Sequence, residues 1–158
     1  MLSSIFLLLT QAPFPFEVNR GFSLEPFGAF SSLDSDDAEG YSFGGRASYV
    51  FADQTDAFFT GEISSAWVRS LDAGRNKILM EAQVLAYEIY NPWAMRVGLG
   101  AGAERRLSEW NPLGVYRIGL GHYVTSRVGI FGDFMGRVIK REKWRNPLEV
   151  SVSVQTIW

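Results

Sequence analysis

The residues able to do chemistry are few. The single histidine, His122, lies in GHYVTSR (121–127), and Ser126 follows four residues later. An imidazole acts as a general acid or base only with partners in hydrogen-bond reach, so His122 is expected to be an interfacial side chain and not a catalyst. One histidine and no cysteine exclude a multi-histidine metal site, a thiolate site, a cysteine nucleophile and any disulfide framework. Four acids crowd into DSDDAEG (34–40), and carboxylates can hold a hard cation. Calcium, however, needs six to eight placed oxygen ligands. Here Ala38 occupies a ligand position and Glu39 the position of the turn glycine, which points to a solvated acidic loop. No metal and no cofactor are assigned.

Positive charge collects elsewhere. ERRLSEWNP (104–112) and KREKWRNP (140–147) place Arg105, Arg106, Lys140, Arg141, Lys143 and Arg145 beside Trp110 and Trp144. Guanidinium groups suit phosphate oxygens, and tryptophan suits a lipid–water interface. Both segments read as long connections at one end of the molecule, where they would form a basic and aromatic collar. A third set of charges is spread thinly at alternate positions, and its meaning depends on the elements that carry it.

Those elements are strands. Aromatic residues make up 15% of the chain, there are 16 glycines, and mean hydropathy is zero. Apolar residues seldom recur at helical spacing. Period-two alternation runs instead through 17–30, 41–51, 58–68, 77–89, 94–105, 114–123, 127–139 and the closing stretch LEVSVSVQTIW. Short connections at 52–56, 90–93 and 124–126 alternate with longer ones at 31–40, 70–76, 106–113 and 140–147. An up-and-down sheet puts alternate connections at one end, so one end is trimmed and the other ornamented. Transmembrane barrels have this asymmetry.

Alternation alone does not say which face is wet. A soluble ligand-binding barrel turns its apolar face inward, whereas a membrane barrel turns it outward. The polar face here carries Glu25, Glu62, Glu81, Glu104, Asp133 and Glu149 against Arg46, Arg96, Arg117, Arg127 and Arg137, with no lysine. Such a balanced set suits a confined interior, where planar guanidinium groups bridge carboxylates. Glycines on the same face give room in a narrow eight-stranded barrel. Tyr41, Phe51, Phe59, Trp67 and Tyr116 lie near strand ends on the other face, like the aromatic girdles of a bilayer. The fold expected is all-β: an eight-stranded antiparallel up-and-down transmembrane barrel over 13–158. Residues 1–12 read as a signal peptide, from the apolar run Ile5–Leu9 and the small-residue exit at Ala12.

The closing strand carries a resemblance. Val150, Val152, Val154, Thr156 and Trp158 share one face, and the stretch ends on an aromatic residue. This resembles the last strand of bacterial outer-membrane β-barrel proteins, small barrels of the OmpX, Ail and OmpA-transmembrane-domain type. The resemblance implies that these five residues form an assembly signal read by the barrel-assembly machinery, and that the first and last strands close the wall. It also raises an enzyme alternative, since some such barrels modify lipid A. The deacylases among them use a His-x-Ser pair, and Val124 stands where that serine belongs. The function expected is therefore non-enzymatic: envelope integrity, lipopolysaccharide contact or adhesion. The lumen should be closed, filled by Arg–Glu pairs. The partners implied are outer-membrane lipid, lipopolysaccharide and the assembly machinery, acting on a monomer in the outer membrane. A net charge of −2 offers nothing to nucleic acid.

Overall fold

A computed structural model describes residues 21–32, 40–54, 57–71, 76–140 and 144–158. Its strands are β1 (Phe22–Ser32), β2 (Gly40–Gln54), β3 (Ala57–Ser70), β4 (Asn76–Tyr90), β5 (Trp93–Arg106), β6 (Glu109–Tyr123), β7 (Val128–Lys140), β8 (Trp144–Arg145) and β9 (Leu148–Ile157). Each strand from β1 to β7 pairs antiparallel with the next; β9 then joins β7 to β1 and closes the ring. β8 and β9 lie along the same neighbour, β7. They are one last strand interrupted at Asn146–Pro147, where proline cannot donate to the ladder. The barrel therefore has eight staves.

The alternation resolves as apolar side chains outside and charge inside. On β5, Leu99 is 72% exposed while Arg96 is 0% exposed. The lumen is layered. At the short-turn end Phe58, Leu85, Tyr87, Tyr123 and Phe131 pack together. At the other end Phe27, Val68, Leu79, Leu113 and Ile139 form a second apolar cluster. The main charge network lies between them, flanked toward each end of the lumen by an apolar layer.

Two expectations need correction. The segment 106–113 is not a long connection: Arg106 pairs with Glu109 across a two-residue turn, and β5 and β6 run to that point. Leu107 takes a φ of 57° there, a left-handed conformation that a branched side chain adopts rarely. Charge and the Asn111–Pro112 pair disguised a protruding hairpin as a loop. Arg127 is not luminal either. It is exposed in the turn between β6 and β7, one residue before the strand phase begins. The acidic stretch 34–39 and residues 1–12 lie outside the described residues.

Candidate functional site

The centre of the lumen is a neutral square of two guanidinium groups and two carboxylates. Glu25 on β1 stands directly opposite Arg46 on β2, and Arg46 Nη1 donates to it. Arg46 also reaches Asp133 Oδ2 at 3.2 Å and lies 3.9 Å over the ring of Phe27. Arg96 completes the square. Its Nε and Nη2 donate to the two oxygens of Asp133 at 2.7 and 2.6 Å. Its Nη1 and Nη2 donate to the two oxygens of Glu25 at 2.6 and 2.8 Å. Both are fork-to-fork pairs, the strongest geometry open to arginine. Tyr87 Oη accepts from Nη1 at 3.1 Å, and the Phe131 ring lies 4.1 Å below the guanidinium.

A glycine makes this meeting possible. In register, Arg96 on β5, Gly119 on β6 and Asp133 on β7 form one row. A Cβ on Gly119 would sit 2.1 Å from Asp133 Oδ1 and 3.0 Å from Arg96. Only a residue without a side chain lets the outer two join across the middle strand.

A second group surrounds Arg137, whose Nε donates to Glu81 at 2.5 Å and whose Nη1 donates to Glu149 at 3.0 Å. Ser42 adds a hydrogen bond to Glu149, and Gln83 adds one to Glu81. Arg117 pairs with Glu62 at 2.7 Å. Near the long-connection rim, Lys77 stands 3.9 Å from Glu104 and is itself buried. Lysine was not expected in the lumen, yet Lys77 shares the phase of Glu81 and Gln83 on β4. It takes the place in the balance that Arg127 vacates, five bases against six acids. The structure thus brings ten of the eleven expected luminal residues inside. The phenol of Tyr87 joins them, a site member that the sequence reading left unassigned.

The outer surface has two aromatic belts. At the short-turn end Phe22 lies against Tyr49 and Phe51 against Phe59. At the opposite end Tyr41 meets Phe43 and Trp67. Above that belt, Arg105 faces Trp110 across the β5–β6 hairpin with its guanidinium 5.7 Å from the ring. Lys140 stands opposite Trp144 in register across β7–β8. All four are exposed, while Arg106 and Arg145 are half-buried. Arg141 and Lys143 lie outside the described residues.

His122 sits on the outer face with its ring edge-on to Trp93, centroids 4.8 Å apart. Its Nε2 has no hydrogen-bond partner among the described residues. Ser126 lies exposed in the turn. No group of three or more His, Asp or Glu side chains among the described residues could hold a metal. Along the closing stretch, Val150, Val152 and Val154 on β9 and Trp158 just after it are exposed, and Thr156 is half-buried. Trp158 does not trail away from the barrel: its backbone N–H donates to Phe22 O at 2.9 Å.

An apolar wall around a charged interior, belted by aromatics at both ends, defines a transmembrane β-barrel. Its fold is that of the small bacterial outer-membrane barrels. Neisserial surface protein A superposes with a TM-score of 0.67 at 15% identity, covering 87% of this chain and 97% of that one. The N-terminal β-barrel domain of OprF from Pseudomonas aeruginosa gives 0.63 at 15% identity, covering 87% and 98%. Ail, the attachment invasion locus protein of Yersinia pestis, gives 0.56 at 11% identity, covering 88% and 98%. No family model matches the sequence, and no curated protein matches it significantly. The likeness is therefore one of fold.

Proposed function

We propose that this chain is a closed, non-conducting barrel of the outer membrane, with a structural and surface-interaction role that includes contact with lipopolysaccharide at its long-connection rim. One observation carries the reading: two exposed cation–tryptophan pairs, Arg105 with Trp110 and Lys140 with Trp144, sit side by side above one aromatic belt. The tryptophans suit the headgroup level, and the cations suit the phosphates found there. The last strand, outward-facing at Val150, Val152 and Val154, fits recognition by an assembly machinery. No catalytic role is proposed, because His122 lies at the short-turn end against Trp93 and away from this rim. The names of two structural neighbours, a surface protein and an attachment protein, agree with a surface role. Replacing Arg105, Lys140 and Arg145 together by Ser should weaken lipopolysaccharide binding by the purified, folded barrel. Unchanged affinity would remove the lipopolysaccharide element of the proposal.

A further inference from the structure

The outer wall is not uniformly bulky. Across β1 to β5 it sinks into an open groove of about 800 Å³. Its floor is made by Gly45, Ala82 and Ala101, and its edges by Leu24, Ile63 and Met80. Register rows run through the groove: Gly45 pairs with Ser65, Met80 with Ala103, and Ala82 with Ala101. The groove also climbs. On β1 it starts at Leu24, two residues from the short-turn end of the strand. On β5 it ends at Ala103, three residues from the opposite end. The next outward residue on β5 is Arg105, stacked with Trp110. No such cation stands at the lower end, where Phe22 and Tyr49 cover the wall.

A slot lined by small residues and capped at one end by an exposed guanidinium fits an amphiphile with a straight apolar tail and an anionic head. In a bilayer the tail gains nothing by leaving water, since lipid is as apolar as the wall. What the groove offers is dispersive contact on several sides, which a flat wall lacks. Arg105 adds a charge-assisted hydrogen bond to a phosphate oxygen. The cationic end coincides with the long connections, which face the outer leaflet in the reading above. We infer that the groove holds one acyl chain of a lipid A-type phosphorylated glycolipid whose phosphate rests on Arg105. This rests on the lipopolysaccharide reading and gives it a specific seat.

The test uses the full chain in detergent, shown to be folded by heat-modifiable gel migration, with native mass spectrometry as the readout. The probes are bisphosphorylated hexa-acyl lipid A, its dephosphorylated form and phosphatidylglycerol. Ala82→Phe and the milder Ala101→Leu fill the floor. Gly132→Leu adds comparable bulk on the far wall, where a Cβ meets nothing within 4 Å. The wild type should retain bisphosphorylated lipid A. The two floor variants should lose about tenfold in retention, the scale of one strong contact, and Gly132→Leu should match the wild type. Arg105→Ser should abolish the preference over the dephosphorylated form.

Retention by the floor variants equal to that of the wild type would overturn the groove and leave the rim collar standing. No retention of lipid A by the wild type would overturn both. Equal retention of phosphatidylglycerol would overturn the assignment to lipid A. A dimer that the floor variants abolish, with no lipid retained, would give the groove to a second copy of the chain instead.

Discussion

Arg96 and Arg117 stand on adjacent strands, two residues apart in register, both fully inside the barrel, yet the lumen treats them differently. Arg96 is saturated: two forked carboxylates, a phenol and an aromatic face meet its guanidinium. Arg117 makes one strong bond, to Glu62, and its Nε and Nη1 find no partner among the described residues. Oxygens of Thr60, Glu62 and Gln83 are likewise unbonded. The lesson is that a balanced charge count does not make a uniform network. A buried ion pair stabilises only when its remaining hydrogen-bonding capacity is met. The β1–β5–β7 side meets that condition, and the β3–β6 side does not.

The contrast can be tested by substitution, with stability followed by urea unfolding in lipid vesicles. Arg96→Met strands Glu25 and Asp133 with only Arg46 between them, and should cost about 3–5 kcal/mol. Gly119→Ala pushes a methyl into the Arg96–Asp133 junction and should cost about 1–3 kcal/mol, as overpacking does. Gly114→Ala on the same strand adds its methyl to open space and should stay within about 0.5 kcal/mol of the wild type. The smallest effect belongs to the poorly satisfied pair. Removing both charges, as Arg117→Met with Glu62→Leu, should change stability by less than about 1 kcal/mol, because the lost attraction is offset by relief of burial. A double variant as damaging as Arg96→Met would erase the distinction between the two sides.

Much of this was legible in the sequence, for a plain reason: a strand's side-chain period is two, so one correctly placed charge assigns a whole face. Glu25, Arg46, Glu62, Glu81, Arg96 and Arg117 follow that rule. The failures occur where the phase was extended or cut at strand ends. Arg127 has the right parity, but it precedes β7 and turns to solvent. Lys77 opens the segment 77–89 in the phase of Glu81 and Gln83, and with no alternation before it its inward position is not evident from the pattern. The apolar plugs were obscured because Leu85 and Tyr87 continue the charged phase of β4 with apolar side chains, which reads as a loss of alternation. The β5–β6 hairpin was hidden by its turn, since Leu107–Ser108 carries none of the glycine or asparagine that usually marks a tight reversal. The pairing inside the lumen was not legible at all, because Arg96 meets Asp133 only through the register of three strands and the gap at Gly119.

The proposed closure means that side chains, not water, fill this barrel. Single-channel recording in planar bilayers tests it most directly, with the folded wild-type barrel inserted at high protein-to-lipid ratio. A lumen closed by the Arg96–Glu25–Asp133–Arg46 square and by an apolar plug at each end should show no stepwise current. A stable, ohmic, porin-sized conductance would contradict the account.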